Sequence, residues 1–588
     1  ADGSFCFAQN AWSPNTQTTL EDGSVKKGNS QTQVWNPVAL ALLQKDETKA
    51  SRIFGNVYGE VAFMPELKYR ANFGVDIYNS SQDTFRPSTI PVANTEGNPE
   101  SEPEATAKTA KMYNWLFEQT VTYNKDIKGH SISALAGWTM QYQRDESTYA
   151  FANGFITNNV PTLNAGTVTR GDSHASEWAL LSGLARVQYN YKGKYMVTGA
   201  LRADGASRFG KDNRWGWFPS VSAGWRLTEE PFMKSLTFID DLKLRASYGL
   251  TGNFRIPNYG AQGEVAYYSY VIGGNSADVV KGAAPKSMPN PELHWEKTAQ
   301  VNIGFDASLF KNRLTLGLDL YNSNTYDLLL DVPVPMTTGY KTRLENIGKV
   351  NNKGVEFNIA TNQKMGDFNW SVYFNISKNI NEVKELGPGN ADIISSGSVS
   401  NAYFITRVGE PIGSYYLPVV EGVFKNQEEV DATLHYMDSP TNYGLADTKP
   451  GDFKFKDVNG DKVLDISDTD RAIVGNYMPD VTYGFGATLA WKGIDFGIVF
   501  QGVQGNEILN LSRRYFYNHE GNMNNYKGAL NRWKSEDEPG SGMNVRANRV
   551  SKGQNGTTST WHVEDGSYLR IKNISLGYTL PENWIKKV

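Results

Sequence analysis

The stretch TAQVNIGFDASLFKNRLTLGLDL, residues 298–320, decides how the rest of the chain reads. In an extended strand successive side chains point to opposite faces. From Thr298 to Leu309 one face carries Ala299, Val301, Ile303, Phe305, Ala307 and Leu309. The other carries Thr298, Gln300, Asn302, Gly304, Asp306 and Ser308. After Lys311-Asn312 the alternation resumes, with Leu314, Leu316, Leu318 and Leu320 opposed by Arg313, Thr315, Gly317 and Asp319. Two such runs across a short turn predict an antiparallel hairpin with one apolar and one polar face.

The same pattern recurs outward in both directions. Tyr195, Val197, Gly199 and Leu201 oppose Lys194, Thr198, Arg202 and Asp204. Phe368, Trp370, Val372, Phe374 and Ile376 oppose Asn369, Ser371, Asn375 and Ser377. Tyr483, Phe485, Ala487, Leu489 and Trp491 form another stripe, continued by Ile494, Phe496, Ile498 and Phe500. About fifteen strands are predicted, near 52–63, 67–77, 113–125, 131–143, 178–191, 194–204, 218–227, 242–250, 295–310, 313–326, 353–363, 368–379, 481–491, 494–505 and 567–579. Most are about 10–14 residues long, and a tilted strand needs roughly 9–11 to cross a bilayer.

The connections alternate short and long. Short ones are Met64-Pro65-Glu66, Asp126 to Gly129, Lys192-Gly193, Lys311-Asn312, Lys364 to Asp367 and Lys492-Gly493, with 228–241 a longer member of that set. Long ones cover 78–112, 144–177, 205–217, 251–294, 327–352, 380–480 and 506–566. Barrels of the outer membrane put short turns on the periplasmic side and long loops outside. Trp178, Tyr191, Tyr195, Trp225, Trp295, Trp491 and Tyr578 lie near strand ends, where interfacial girdles sit. The fold class expected is therefore all-β, a large antiparallel transmembrane outer-membrane β-barrel. The polar faces are rich in Asn, Ser, Thr and Gly, as suits a wet lumen, whereas a secreted β-sandwich would carry charge there.

Composition agrees and excludes other classes. Of 588 residues, 58 are Lys or Arg and 62 are Asp or Glu, a net charge of −4, so no nucleic-acid footprint is present. The 56 glycines and 31 tyrosines favour strands joined by tight turns. One cysteine, Cys6, rules out an internal disulfide framework and a multi-cysteine metal site. No run of roughly 18 apolar residues exists, so no transmembrane helix is expected. Both ends of the chain read as cut, so this is expected to be part of a longer protein, with any signal peptide and some strands outside 1–588.

Segments spread along the whole chain resemble the SusC/RagA group of TonB-dependent outer-membrane transporters of Bacteroidetes. They are NPVALAL (36–42), RIFGNVYGEVAF (52–63), LRADGASRFGKDNRWGWFPSVSAGWRLTEEPFM (201–233) and LKLRASYGLTGN (242–253). Then come NPELHWEKTAQVNIGFD (290–306), GDFKFKDVNGDKVLD (451–465), VGNYMPDVTYGFGATLAWKGIDFGIVFQG (474–502) and VEDGSYLRIKNISLGYTLP (563–581). Their joint order is more specific than any one of them. The resemblance implies a barrel of about 22 strands in the full protein, filled by an N-terminal plug. It implies a SusD-like surface lipoprotein as lid, TonB as energy coupler, and import of oligosaccharides or oligopeptides. A dimer of transporter–lipoprotein pairs is left open, and no nucleic acid is expected.

Candidate chemistry is sparse. DVNGDKVLDISD, Asp457 to Asp468, resembles a Ca²⁺ loop, with Asp457, Asn459, Asp461, the Val463 carbonyl, Asp465 and Asp468 as ligands. It departs from the pattern in carrying Lys462 where Gly is usual and Asp468 in place of Glu. The alternative is an acidic turn in the long loop 380–480, and calcium would only rigidify it. GDSH (171–174) sets Ser173 beside His174, but in a long loop without the strand-turn-helix of a hydrolase. No other catalytic or cofactor motif is present, so no enzyme and no required cofactor are expected. Tyr267, Tyr268 and Tyr270, and Tyr403, Phe404, Tyr415 and Tyr416, are candidate sugar-stacking residues or simply loop packing. Arg186, Arg202 and Asp204 face the expected lumen. A passive porin, a barrel-based adhesin and a secreted glycan binder are the competing readings.

Overall fold

The computed structural model describes residues 28–29, 34–35, 41–90, 102–271, 279–397, 402–433, 448–517, 519, 525–548 and 554–581. Cys6 lies outside them. Fifteen strands form one sheet: β1 (Lys45–Met64), β2 (Leu67–Arg86), β3 (Glu104–Ile127), β4 (His130–Asn153), β5 (Thr167–Tyr191), β6 (Tyr195–Ala206), β7 (Trp215–Arg226), β8 (Ile239–Asn253), β9 (Glu296–Leu309), β10 (Leu314–Tyr326), β11 (Lys349–Met365), β12 (Phe368–Glu385), β13 (Val481–Trp491), β14 (Ile494–Gln504) and β15 (Tyr568–Tyr578). Each pairs antiparallel with its neighbours in sequence, so the sheet is an unbroken meander. Among the described residues, β1 and β15 are its two edges.

Register explains why the wall has two faces. Residues opposite one another across a ladder share a face. Ile303 opposes Leu320 and Phe305 opposes Leu318. Leu318 opposes Phe357, which opposes Ile376. Farther on, Phe485 opposes Phe500 and Ile498 opposes Ile574. In the other direction Phe305 opposes Leu244, which opposes Trp225, and Trp225 opposes Tyr195. At the far edge Ala136, Val121, Tyr69 and Val61 continue the face. One apolar face thus crosses every strand. It is bare: Val57 is 68% exposed, Ile303 56%, Ile574 59% and Leu576 76%. Soluble monomers rarely expose an apolar patch beyond a few hundred Å². A face of this extent needs lipid against it.

The opposite face is polar and spans its own ladders. Arg245 donates to Asp306 at 3.1 Å and to Asp319 at 2.6 Å, tying β8, β9 and β10. Ser377 and Thr482 bond at 2.6 Å between β12 and β13. Gly317 leaves room for this traffic, since a Cβ there would meet the Asn358 amide at 2.5 Å.

The short connections are tight. Lys128-Gly129 (φ 48° and 88°) and Lys492-Gly493 (φ 47° and 87°) have both central residues at positive φ, the type I′ geometry that matches strand twist. Turn backbones also bond to the next turn, as Lys192 N–H does to Gly129 O at 2.7 Å and Thr579 N–H to Gly493 O at 2.7 Å.

Several expected boundaries move. β3 begins at Glu104, β4 ends at Asn153 and β5 begins at Thr167, so the expected loops 78–112 and 144–177 shrink to 87–103 and 154–166. Beyond the belt the strands carry mostly polar or small residues on both faces, apart from a buried cluster of Phe85, Ala105, Ala152 and Phe155, so hydrophobic alternation fades while the ladder continues. GDSH therefore lies within β5 and not in a loop, with His174 opposite Ser147. As strand neighbours, Ser173 and His174 point to opposite faces. Trp178 and Trp295 are not girdle residues. Trp295 is buried with Phe209, Phe218 and Leu293 and donates to Arg214 O at 2.8 Å. Trp178 lies under the Arg208 guanidinium at 4.9 Å. Tyr195, Trp225, Trp491 and Tyr578 do sit exposed on the apolar face, all at its short-turn end.

Placing a charge on the belt should expose this asymmetry. Ile303→Lys should cost about 2–4 kcal/mol in a bilayer, and Asn302→Lys, one residue away on the polar face, much less. Denaturant titration of refolding into lipid vesicles measures both.

Candidate functional site

The long connections cluster at one end of the wall, and the two longest build a common cap. Segment 386–480 contributes a four-stranded sheet of Ile393–Ser396, Tyr403–Thr406, Ser414–Pro418 and Arg471–Gly475. It also contributes a pair, Val420–Val423 with Phe453–Phe455. Segment 505–567 pairs Glu507–Leu509 with Val563–Asp565. The two share an apolar core: Val420, Val423, Phe453, Phe455 and Leu464 from the first pack on Val545 and Trp561 from the second. Val420 N–H donates to Thr560 Oγ1 at 2.9 Å, and Asn476 N–H to Glu507 Oε2 at 2.9 Å.

Asp452 is the polar hub of the cap. It is fully buried. It accepts from Arg546 Nε at 2.7 Å, Asn555 Nδ2 at 2.8 Å and Lys449 N–H at 2.9 Å. Asn555 Oδ1 in turn accepts from Phe453 N–H at 3.0 Å. A buried carboxylate is tolerable only with its lone pairs satisfied in this way. Asp452 lies in the quoted segment 451–465, but nothing in that segment marks it as a hub. Its side-chain partners Arg546 and Asn555 lie far downstream, beyond the reach of local pattern.

The acidic stretch 457–468 is a run of side chain-to-backbone bonds. Asp457 accepts from Gly460 N–H at 2.7 Å and Lys462 N–H at 3.0 Å. Asn459 accepts from Asp461 N–H, and Asp461 from Val463 N–H, both at 2.8 Å. Asp465 accepts from Ser467 N–H at 3.0 Å. Sequence reasoning missed the organiser, Asp470, which is fully buried and lies two residues past the expected ligand Asp468. It accepts from Val458 N–H at 2.7 Å and Asp465 N–H at 2.6 Å. Among the described residues no group of three or more acidic, histidine or cysteine side chains is placed to hold a metal.

The aromatic candidates separate into two kinds. Tyr415 is buried, 5.8 Å from the Phe404 ring, and its hydroxyl donates to Glu507 O at 3.2 Å. Tyr403 is covered by the Arg471 guanidinium at 3.6 Å. Tyr416 is half-buried in the same small sheet. The Tyr403, Phe404 and Tyr415 rings thus already have partners within the cap. Tyr267, Tyr268 and Tyr270 stand on a separate hairpin, Val265–Val271 paired with Val279–Pro285, and are 81%, 54% and 65% exposed. On the polar face, Arg202 donates to Asp204 at 2.8 Å and to Ser182 at 3.0 Å. Arg186 forms no ion pair among the described residues. It shares a concavity of about 760 Å³ with Arg202, Asp204, Ser222 and Gln300.

His562 is buried beside Trp561, and its Nδ1 accepts the Ser559 N–H at 3.2 Å. Burial, helped by the nearby charge of Arg513, pushes its pKa down to about 4. It is therefore neutral at pH 7, with its proton on Nε2.

Comparison with known proteins adds the following. The family model for the TonB dependent receptor-like β-barrel matches residues 9–588. TonB-dependent receptor P3 of Formosa agariphila is 36% identical over 94% of this chain and 53% of its own length. TonB-dependent receptor SusC of Bacteroides thetaiotaomicron is 26% identical over 97% of this chain and 54% of its own. The chain thus spans about half the length of the curated relatives it matches. The solved structure of the RagAB peptide transporter superimposes with a TM-score of 0.79 at 25% identity, covering 96% of this chain and 59% of that one.

The histidine yields a pH test. A folded pKa near 4 against the usual 6.5 means the unfolded chain binds the proton more readily. The cap should hold its stability above pH 6.5 and lose it progressively down to about pH 4, by up to roughly 3 kcal/mol. Melting of the cap followed by tryptophan fluorescence should show this slope, and His562→Phe should flatten it.

Proposed function

This chain belongs to the TonB-dependent receptor β-barrel family, and from that premise we propose that it is the membrane-spanning wall of a SusC-like importer. In this reading the apolar face meets the hydrocarbon of the bacterial outer membrane, with the short turns in the periplasm and the cap outside. Solute binds at the mouth, between the loop cluster and a SusD-like surface lipoprotein. TonB, acting on a plug that lies beyond this chain, opens a path along the polar face. The observation that carries the reading is the pairing of a bare apolar face with a polar one on a single antiparallel sheet of fifteen strands. Only a wall between lipid and water needs both.

The substrate proposed is an oligosaccharide. The support is the exposed tyrosines of the hairpin, Tyr268 and Tyr270 on one face and Tyr267 on the other, whose ring faces suit the apolar faces of pyranose rings. An oligopeptide is the second reading, favoured by the likeness to the RagAB peptide transporter. A calcium ion at Asp457, Asn459, Asp461, Val463, Asp465 and Asp468 remains part of the proposal. It would stiffen the cap and take no part in chemistry.

Uptake by the intact transporter should stop when TonB is deleted. A passive porin would continue to pass solute. Tyr267, Tyr268 and Tyr270 changed together to Ala should weaken substrate binding by tenfold or more, given about 0.5–1.5 kcal/mol per aromatic contact, with barrel melting unchanged. Calorimetry with oligosaccharide and oligopeptide pools chooses between the substrates. Chelation should lower the melting point of the cap if calcium is bound, and the same melting point with and without chelator would dispose of the ion.

A further inference from the structure

The short-turn rim carries a repeated feature that import does not explain. Tyr191-Lys192, Phe310-Lys311 and Trp491-Lys492 each set a lysine directly after an aromatic residue at the end of a strand, and Ile127-Lys128 is the apolar equivalent. All four lysines have positive φ: 48° at Lys128, 53° at Lys192, 62° at Lys311 and 47° at Lys492. That backbone region favours Gly or Asn and penalises a long side chain. Asn-Gly would make the Lys128-Gly129 and Lys492-Gly493 turns at lower conformational cost. The lysine side chains therefore need a reason of their own.

Their surroundings supply one. Lys192 Nζ lies 5.2 Å from the Tyr191 ring, and Lys492 Nζ lies 5.4 Å from the Trp491 ring. Tyr191 and Trp491 belong to the apolar face, opposite Tyr195 and Ile494. Phe310, half-exposed, packs on Phe238 at the same rim. Four rim carboxylates are already engaged, Glu66 with Lys125, Glu230 with Lys194, Asp241 with Arg226, and Asp240 with the Asn312 N–H, while Asp367 and Asp495 stand exposed at the same rim. Among the described residues none pairs with the four turn lysines. The result is a row of four turn lysines along the rim, two of them with the ammonium beside an aromatic ring of the lipid-facing surface.

We propose that this row is a binding surface for anionic phospholipid headgroups. The rings settle at the level of the glycerol and ester groups. The ammonium groups then reach the lipid phosphates, and phosphatidylglycerol or cardiolipin is preferred over a zwitterionic lipid. The proposal rests on the membrane-spanning reading and adds which lipid the periplasmic rim selects.

The test uses the full-length transporter reconstituted in vesicles of equal phosphatidylcholine and phosphatidylglycerol. Native mass spectrometry then counts the lipids it retains. The wild type should retain phosphatidylglycerol preferentially. The quadruple variant K128N/K192N/K311N/K492N should lose that preference, on the order of fivefold per lysine. Asn suits the left-handed backbone, so melting should be unchanged, and loss of preference then reports charge and not misfolding. Equal retention by variant and wild type, or no preference in the wild type, would overturn the proposal. Flotation with the vesicles is scored in the same samples. A chain that does not float would overturn the membrane-spanning reading itself, which is a different result from floating without lipid preference.

Discussion

In hydrocarbon an unpaired backbone N–H or C=O costs several kcal/mol. That constraint governs most of this molecule. It forces each strand that crosses the membrane to be paired on both sides, and the fifteen-strand meander pairs every interior strand in that way. With the backbone committed to the ladder, side chains are free to differ by face. Period-2 alternation becomes the partition between two solvents, lipid on one side and water on the other. The type I′ turns belong to the same economy of form, since they reverse the chain in two residues and bond to the neighbouring turns.

Outside the membrane that constraint lapses and ordinary globular rules return. The cap has an apolar core of its own, from Val420 to Trp561, and a buried polar hub at Asp452. It is assembled from segments far apart in sequence, so Asp452 meets Arg546 and Asn555 across the two longest connections. Removing one partner of such a buried pair costs about 3–5 kcal/mol. The mouth is therefore a folded structure that can present a fixed surface, and the exposed Tyr267–Tyr270 hairpin stands apart from its core.

The wall was legible in the sequence wherever its two faces meet different solvents. Residues 298–320 showed both strands of their hairpin and which residues share a face, and the structure adds the register that sets Ile303 opposite Leu320. Legibility failed where both faces are wet. The outer ends of β3, β4 and β5 carry no hydrophobic alternation, so GDSH passed for loop. It failed again for aromatics, since a tryptophan near a strand end reads alike whether it meets lipid, as Trp491 does, or a loop core, as Trp295 does. The tyrosine candidates were nameable, but only the fold separates buried Tyr415 from bare Tyr267. Asp470 escaped because a spacing motif ends at Asp468 and the physical hub lies just beyond it.

The central claim is that one face of this wall meets lipid and the other water. Spin labels placed one at a time at positions 299–308 of the full-length transporter in bilayers, with Cys6 replaced, test it most directly. The account predicts that labels at 299, 301, 303, 305 and 307 collide with oxygen dissolved in the bilayer, and that labels at 300, 302, 304, 306 and 308 collide with a water-soluble relaxer, in opposite phase with period 2. Equal access to the water-soluble agent at every position would contradict it.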